Sequence, residues 1–368
     1  MPPTIYDIAE RADVSTATVS RVFNDQSEVA EETRSRVMKA AKALNYQPHA
    51  SAQSLARQRT HLIAAVVPVL ATYFYMGVLR GVQDALASTE FDLLVYTPSH
   101  PGEVETQLRR ASQRGRSDGL MLLSTSITPD IAEVLEASAQ EVVVVDTEHP
   151  SFESISVDNE EGGYRATRHL LDQGRTRVAH ITTGEPEPPP ASKRRAGYER
   201  ALREANQGPP MIARGDKEPF AFSKDGGYQA MQALLDRDPA PDAVFAASDM
   251  QAVGALRALQ DAGKRVPEEV ALVGFDDIEV SGYVGLSTLR QPLRDFGKLA
   301  VEKMLARLDD PGRAVSSTVF APQLLARRTC GGASEEADAQ PLAAAVEPSP
   351  ESSPIPTKPD PSAQQSEP

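Results

Sequence analysis

Polar residues stand directly after several runs of β-branched and other apolar residues, at positions where strands of a parallel sheet would end. Ligands of such sheets bind beyond the carboxyl ends of the strands, so these side chains could converge on one ligand. Carboxylates there favour a polyhydroxylated ligand, because one carboxylate can accept hydrogen bonds from two hydroxyl groups. For any single aspartate, a helix cap or a turn is the alternative. The residues in these positions are Asp146, Asp158, Ser248, Asp249, Asp276 and Asp277.

Three aromatic residues could complete such a site. Tyr73 and Phe74 follow the first apolar run, and Phe222 lies in the second half of the chain. Their rings could stack on the apolar face of a sugar ring. Together with the carboxylates, they favour a sugar or a sugar derivative as the ligand.

A second set of residues, near the amino terminus, could contact DNA. Thr16, Ala17 and Ser20 are small enough to let a helix approach base edges closely. Arg21 carries a planar fork of donors that suits guanine or a phosphate. An ordinary helical hairpin with a polar outer face is the alternative interpretation.

The stretch TIYDIAERADVSTATVSRVFN predicts the two helices that would position this second set. Its first half has a one-sided apolar pattern and opens with the capping-box residues Thr4 and Asp7. After a break, Ser15 can cap a second short helix. A third amphipathic helix, at about residues 30–44, is long enough to close a three-helix core. The segment therefore predicts a helix-turn-helix.

From Leu62 onward, continuous β-branched runs alternate with amphipathic helices. This alternation indicates buried parallel strands joined by right-handed helical crossovers. The alternation restarts after residue 158, so we expect an α/β body of two lobes, each with a doubly wound parallel sheet.

At 368 residues, with 40% hydrophobic and 24% charged residues, the chain is long enough for two large lobes. It contains no run of about 20 apolar residues, as a membrane span requires, and no apolar leader, so we expect a cytoplasmic protein. The single cysteine, Cys330, excludes an internal disulfide and a cysteine zinc site. The histidines are scattered, so we expect neither a metal site nor catalytic residues nor a bound cofactor.

The net charge of −14 argues at first sight against a nucleic-acid partner. However, residues 1–60 carry eight basic and seven acidic side chains, so the acidity belongs to the rest of the chain. Residues 1–60 are nearly neutral and should attract DNA only weakly, so we expect the affinity for DNA to depend less on bulk charge than on dimerisation and on the folding of the segment that follows the three helices.

The last residues, 331–368, have a different composition. They contain eight prolines, seven acidic residues and no aromatic residue, with Lys358 as the one basic residue. Such a segment cannot bury enough apolar surface to fold, so we expect a disordered acidic tail. It contains no leucine heptads, so it cannot form a coiled coil. Because a single helix-turn-helix reads only one short half-site, we expect the chain to form a homodimer.

With these motifs, the chain resembles the lactose-repressor (LacI/GalR) family of bacterial transcription regulators. The resemblance covers almost all of residues 4–328. It rests on the stretch quoted above and on the blocks VAEETRSRVMKAAKALNYQP, ASAQSLARQRT, SKRRAGYERAL, AASDMQAVGALRAL, VPEEVALVGFDDIE and LRQPL. It implies that the second helix reads the major groove and that a hinge helix near residues 50–56 folds on the operator, where Leu55 wedges into the minor groove. It also implies a hinged body like that of periplasmic sugar-binding proteins.

The resemblance completes both sets of candidate residues. The DNA-binding set is Thr16, Ala17, Ser20, Arg21, Asn24, Ser51, Ala52, Gln53 and Leu55. The effector-binding set is Tyr73, Phe74, Asp146, Asp158, Arg194, Phe222, Ser248, Asp276 and Gln291. The chain departs from the family pattern at Asp13, Ala30, His49, Val69, Thr72-Tyr73 and Ser248. The last three of these departures indicate a ligand other than a lactose-like one.

The predicted division places the headpiece at residues 1–46, the hinge helix and linker at 47–60, the two-lobed effector-binding and dimerisation domain at 61–330 and the tail at 331–368. The first lobe is expected at about 61–157 and 291–320, and the second at about 158–288.

Two other classes of protein have bodies of this kind. A solute-binding protein would carry a signal peptide and no helix-turn-helix, and a nucleotide-dependent enzyme would need a G-x-G-x-x-G turn, which the sequence does not contain. The sequence therefore predicts a non-enzymatic repressor that binds a palindromic operator in double-stranded DNA and is controlled by a small-molecule effector.

Overall fold

The computed structural model describes residues 3–23, 29–46, 59–70, 72–98, 101–138, 140–216, 222–332 and 344–345. The predicted hinge helix, and most of the predicted disordered tail, lie outside these residues.

Three helices, α1 (Ile5–Ala12), α2 (Thr16–Phe23) and α3 (Glu31–Ala43), pack around an apolar core near the amino terminus. The predicted capping residues of α1 are confirmed, because Asp7 Oδ2 accepts hydrogen bonds from Thr4 N at 2.6 Å and from Thr4 Oγ1 at 2.7 Å. Ser15 caps α2 as predicted, accepting from Thr18 N at 3.1 Å. Asp13 lies between α1 and α2 with a left-handed φ of 51°. Glycine is the residue that adopts this conformation most readily, but aspartate tolerates it better than most other residues, so the turn forms with Asp13 in that position.

The remaining elements form the body, and they follow in chain order. Its first part contains β1 (Leu62–Val66), α4 (Tyr73–Leu86), β2 (Asp92–Tyr96), α5 (Val104–Ala111), β3 (Gly119–Leu123), α6 (Pro129–Glu136), β4 (Glu141–Val145) and β5 (Glu153–Val157). Its second part contains α7 (Asn159–Asp172), β6 (Val178–Thr182), α8 (Pro189–Glu204), β7 (Met211–Arg214), α9 (Lys224–Leu235), β8 (Ala243–Ala246), α10 (Asp249–Asp261) and β9 (Ala271–Asp276). It ends with α11 (Glu279–Tyr283), β10 (Ser287–Arg290), α12 (Leu293–Asp309), β11 (Ser317–Phe320), β12 (Gln323–Leu325) and β13 (Ala344–Ala345).

Two sheets divide the body into two lobes, which confirms the predicted fold class. The first sheet has the order β13-β11-β5-β4-β3-β1-β2, and all its pairs are parallel apart from β13 with β11. The second has the order β12-β10-β9-β8-β6-β7, parallel apart from β12 with β10. The central strands are buried throughout, as the continuous β-branched runs predict.

The described chain passes between the lobes after β5, after β10 and after β11. Strand β10 extends the second sheet to Arg290. Strand β12 brings residues 323–325 back to the same sheet, and the sequence analysis had not assigned these three residues to a lobe. Helix α12 belongs to the first lobe, where Lys303 Nζ lies 2.6 Å from Glu153 Oε2 on β5. Three crossings of this kind connect the lobes side by side and leave a cleft between the ends of their strands.

Two glycines bring α7 and α8 into close contact in the second lobe. A Cβ atom on Gly163 would collide with the carbonyl oxygen of Arg194, and one on Gly197 would collide with that of Glu160. The two helix backbones therefore touch at the turn of α8 that carries Arg194, and this contact fixes the position of that side chain.

Candidate functional site

Arg194 is a buried side chain held by several contacts between the lobes. It is 3% exposed, and its guanidinium lies 3.8 Å above the ring centroid of Phe275. Nε donates to Asn159 Oδ1 at 2.7 Å and Nη1 donates to the carbonyl oxygen of Ala247 at 2.6 Å. Among the described residues, Arg194 makes no other hydrogen bond within the protein. Burial lowers its pKa, but a guanidinium stays protonated in proteins, so it presents a charge and further N–H donors.

Asp276 ends β9 and faces this guanidinium. Its Oδ1 accepts from Gln291 Nε2 at 2.7 Å and lies 3.8 Å from Arg194 Nη1. Burial raises the pKa of Asp276, and the nearby Arg194 partly opposes that rise. The carboxylate is therefore oriented by Gln291 and paired with a cation, yet keeps accepting capacity for a ligand.

Asp146 follows β4 in the first lobe and approaches the same cluster from the other side. Oδ2 accepts from Ser124 Oγ at 2.7 Å, whereas Oδ1 is buried and has no hydrogen-bond partner in the described protein. Burial raises the pKa of Asp146, and Arg194 is the main influence that lowers it. A buried acceptor without a partner costs about 1 to 3 kcal/mol, so this oxygen marks the place of a ligand donor.

The backbone is strained where these side chains are presented. Ser124, Asp146, Asp276 and Asp277 are non-glycine residues with φ values of 45°, 58°, 121° and 56°. All four lie at the carboxyl ends of strands β3, β4 and β9, where ligands of parallel sheets bind. Strain of about 1 to 3 kcal/mol per residue persists only where the surrounding structure enforces it, and such residues cluster at functional sites.

The cluster forms the floor of a cleft with about 590 Å³ of space between the lobes, its open mouth included. Both lobes contribute to its walls. The lining residues are Thr72, Tyr73, Phe74, Tyr75, Ser124, Asp146, Pro188, Pro190, Arg194, Phe222, Ser248, Met250, Asp276 and Ile278.

Seven of the nine residues predicted to bind the effector line this cleft, namely Tyr73, Phe74, Asp146, Arg194, Phe222, Ser248 and Asp276. The other two do not. Asp158 is exposed and caps α7, where its side chain accepts a hydrogen bond from Glu161 N at 2.9 Å. A helix cap was the alternative interpretation for any single aspartate that follows a strand. Gln291 is buried behind Asp276 and orients that carboxylate instead of lining the cleft.

The sequence analysis missed four polar residues of the site, which are Thr72, Tyr75, Ser124 and Asn159. Ser124 directly follows β3, and Asn159 lies two residues after the end of β5. The search for polar residues after strands, which found Asp146 and Asp158, could therefore also have found them. Buried Asn159 connects α7 to Arg194. Tyr75 reaches the cleft from the first turn of α4, and no pattern in the sequence marks it.

Asp249 stands at the start of α10 and is fully buried. Its carboxylate accepts from Ile278 N at 3.0 Å, from Ser281 Oγ at 2.6 Å and from Thr288 Oγ1 at 2.6 Å. These bonds hold α10, α11 and β10 together, so Asp249 supports the strand ends without lining the cleft.

The other candidate set lies on the outer face of α2. Ala17 and Arg21 are exposed and Thr16 and Ser20 are partly exposed, while Val19 and Val22 on the same helix are buried in the head. The four side chains therefore share one accessible helix face, as direct contact with a DNA groove requires. The remaining predicted DNA-binding residues, Asn24, Ser51, Ala52, Gln53 and Leu55, lie outside the described residues.

The described parts of the chain contain no helix long and apolar enough to cross a membrane, and no group of three or more His, Cys, Asp or Glu side chains that could hold a metal ion.

A helix-turn-helix head joined to a two-lobed body with a polar interlobe cleft defines the class of ligand-responsive DNA-binding regulators. Residues 4–49 match the family described as bacterial regulatory proteins, lacI family, and residues 167–330 match the periplasmic binding protein-like domain. The HTH-type transcriptional repressor PurR of Aliivibrio fischeri (strain MJ11) is 34% identical over 333 residues, covering 88% of this chain and 97% of that protein.

Two solved structures share the architecture along most of the chain. The lac repressor dimer bound to operator and the anti-inducer ONPF superposes with a TM-score of 0.77 at 28% identity, covering 90% of this chain and 99% of that chain. The complex of the transcriptional regulator CelR with cellobiose superposes with a TM-score of 0.66 at 31% identity, covering 89% and 99%. The chain belongs to the LacI family of bacterial regulatory proteins, and it is a regulator and not an enzyme.

Proposed function

We propose that this chain is a transcriptional repressor that binds a palindromic operator as a homodimer, and that a polyhydroxylated effector bound between its lobes changes its affinity for that operator. The observation that carries the proposal is the buried cluster of Asp146, Arg194 and Asp276, in which Asp146 Oδ1 has no partner in the described protein. We place the protein in the cytoplasm, where its DNA target lies.

The effector acts by joining the two lobes. Asp146 and Ser124 belong to the first lobe, whereas Arg194 and Asp276 belong to the second. A ligand that donates to Asp146 and bonds Arg194 or Asp276 at the same time favours one angle between the lobes over others. Only a ligand with different affinities for the two arrangements shifts their populations, and a bridging ligand has this property.

The nature of the effector follows from the same three side chains. A hydroxyl group can donate to Asp146 Oδ1 and accept from Arg194 together, which a purely accepting group cannot do. Cellobiose, the ligand of the related CelR structure, is a molecule of this chemistry. We therefore propose a carbohydrate or a carbohydrate derivative.

The DNA-binding half of the proposal rests on α2. One head presents a single helix of eight residues, which reads one short half-site, so a specific site of useful length requires two heads related by a two-fold axis. Arg21 is exposed in the last turn of this helix and supplies the donor fork for a base edge or a phosphate.

A binding assay tests the proposal directly. The full-length protein is used to select an operator from random DNA, and its dissociation constant is measured by fluorescence anisotropy with and without a panel of sugars. We expect at least one sugar to change the dissociation constant about 5 to 150-fold. Asp146→Asn and Arg194→Ala should keep operator affinity and lose this response.

Arg200→Ala is the matched control, because Arg200 lies on the same helix but pairs with Glu160 and Glu161 away from the cleft. It should respond like the unaltered protein. A response that survives both Asp146→Asn and Arg194→Ala would place the effector elsewhere and contradict the proposal.

A further inference from the structure

We propose that the acidic end of the chain, residues 346–368, binds to a basic end of the first lobe and thereby restrains DNA binding. This basic end is defined by Arg59, Arg114, Arg116 and Arg313, and it lies at the amino ends of the strands, opposite the effector cleft. The binding follows from the charge and the direction of the chain, whereas its effect on DNA rests on the proposed function.

The loop before β3 lies against the segment that enters β1. Asp118 Oδ1 accepts hydrogen bonds from Thr60 N at 2.7 Å and from Thr60 Oγ1 at 2.9 Å. Thr60 directly follows Arg59, and the loop that ends at Asp118 carries Arg114 and Arg116. These three arginines therefore belong to neighbouring segments at the end of the lobe where the chain from the head enters.

The loop after α12 adds the fourth arginine to the basic end. Arg59 Nη2 donates to the carbonyl oxygen of Leu308 at 3.2 Å, and Arg307 Nη1 donates to the carbonyl oxygen of Arg313. Helix α12 therefore ends beside Arg59, and Arg313 lies in the loop that leads from α12 to β11. The four arginines thus stand near the amino ends of β1, β3 and β11.

All four arginines are exposed, and none forms an ion pair with a carboxylate that the structure describes. Two carboxylates close to them in the chain have other partners, since Asp118 binds Thr60 and Asp310 Oδ1 accepts from Gly312 N at 3.1 Å. Asp309 is exposed, and within the described residues no hydrogen bond or ion pair joins it to the four arginines. The basic end is therefore available to an acidic segment.

Strand β13 directs the chain toward this basic end. Ala344 pairs with Phe320 and Ala345 pairs with Val319, antiparallel to β11. Because β11 is parallel to its neighbour β5, β13 runs from the carboxyl ends of the parallel strands toward their amino ends. The chain therefore leaves Ala345 at the end of the lobe that carries the four arginines.

The residues after β13 match the basic end in charge and in reach. Lys358 is their one basic side chain, and their acidic side chains are Glu347, Glu351, Asp360 and Glu367. Strand β3 is the fourth strand from β13 in the first sheet, so it lies about 19 Å away at about 4.8 Å per strand. The six residues from Ala345 to Glu351 can span about 20 Å. Glu351 can therefore reach Arg116, and the later acidic residues can reach Arg59.

A bound acidic segment places negative charge where residue 59 leads back to the head. Residues 1–60 carry eight basic and seven acidic side chains, so they attract DNA weakly by themselves. Four further carboxylates nearby repel the phosphates of DNA, most strongly at low salt, where screening is weakest. The acidic segment therefore lowers the affinity for DNA until salt screens its charges or it leaves the basic end.

Nuclear magnetic resonance of the isotope-labelled full-length protein tests the binding of the segment. At about 0.01 M ionic strength, where the Debye length is about 30 Å, we expect the amide signals of residues 347–367 to be broadened by attachment to the large body. They should become sharp at about 1 M salt, where the Debye length is about 3 Å. They should also become sharp at low salt in the variant that combines Arg114→Ala, Arg116→Ala and Arg313→Ala.

A second triple variant is the matched control. Arg168→Ala, Arg257→Ala and Arg265→Ala together remove the same number of positive charges from surface ion pairs of the second lobe. This variant should keep the broadened signals at low salt, because its basic end is intact.

Fluorescence anisotropy with the selected operator tests the effect on DNA. The neutral-tail variant combines Glu347→Gln, Glu351→Gln, Asp360→Asn and Glu367→Gln. We expect it to bind the operator about threefold or more tightly than the unaltered protein at low salt, with a smaller difference as salt is raised. In the variant without the three arginines, neutralising the tail should not change operator affinity.

Sharp signals of residues 347–367 at low salt in the unaltered protein, or broadened signals that persist without the three arginines, would overturn the binding of the segment. Equal operator affinities with the charged and the neutral tail would overturn the restraint. A loss of operator affinity without the three arginines that is the same with either tail would show that these arginines bind DNA phosphates instead, and would also overturn the inference. If no operator is found, the proposed function fails, and the resonance signals still decide whether the segment binds.

Discussion

Asp146→Asn should make the ligand-free protein more stable at neutral pH while weakening its ligand. The carboxylate is 5% exposed, its Oδ1 has no hydrogen-bond partner in the described protein, and its backbone is held at a φ of 58°. Asparagine has nearly the same shape and carries no charge. Its Oδ1 can take the bond from Ser124 that Asp146 Oδ2 accepts at 2.7 Å.

The pH dependence gives this prediction its sign. Burial raises the pKa of Asp146 in the folded protein above its ordinary value near 4. A group with a raised folded pKa favours folding when it is protonated, and that contribution is lost as the pH rises through the folded pKa. The two proteins should therefore be equally stable near pH 4, and the variant should gain an advantage above that pH.

The substitution removes the cost of burying a charge, but the amide nitrogen takes the place of the unpaired oxygen, so the gain should not exceed about 1 to 3 kcal/mol. In a domain of this size, 1 kcal/mol corresponds to about 2 to 4 °C in Tm. Thermal unfolding followed by circular dichroism from pH 4 to pH 7.5 measures the difference. The control is Asp158→Asn, since Asp158 is exposed and asparagine caps a helix as well as aspartate does.

A Tm difference that is absent at pH 7, or that does not change with pH, would show that Asp146 is not a desolvated charge. With saturating effector the order should reverse, because the unaltered protein gains more from a ligand that donates to Asp146. A variant that gains as much from the effector as the unaltered protein would refute the assignment of this oxygen to ligand binding.

Three further predictions concern the head, the second lobe and the tail. Arg21→Ala should cost about 1 to 3 kcal/mol of binding free energy on the selected operator and little on random DNA, as measured by fluorescence anisotropy. Equal losses on both DNAs would show that Arg21 contacts phosphate alone. Gly163→Ala should lower the free energy of unfolding, measured by urea titration, by about 1 to 3 kcal/mol, because the added methyl group meets the α8 backbone. Gly208→Ala is the control, because a methyl group at Gly208 has open space and should not lower the free energy of unfolding. Equal stabilities of the two variants would contradict the close contact between α7 and α8. Removal of residues 333–368 should leave a dimer by light scattering, and a tetramer that becomes a dimer on truncation would contradict the predicted role of the tail.

The sequence predicted the fold because its periodicities are strong. The fully buried strands, such as Gly119–Leu123, have continuous apolar runs, and the turn between α1 and α2 could be located from the break at Asp13. The return of Gln323–Leu325 to the second sheet was not predictable, since the strand has three half-buried residues and no distinctive pattern.

The candidate site was predictable in part, and the reason is strand order. Asp146 and Asp158 both follow strands, so the sequence gives them the same signal. In the structure Asp146 follows β4, in the middle of the first sheet, and reaches the cleft, whereas Asp158 begins the crossover into α7 and caps that helix. The burial of Arg194 depends on the contact between α7 and α8, which only the fold brings about.

The reciprocal coupling between operator and effector tests the central claim most directly. The dissociation constant of the effector is measured by titration calorimetry with and without saturating operator DNA, and that of the operator with and without saturating effector. The two ratios must be equal, at about 5 to 150-fold, and both must fall to one in Arg194→Ala. An effector that binds the cleft with the same affinity whether or not operator is present would contradict the claim that this cleft controls DNA binding.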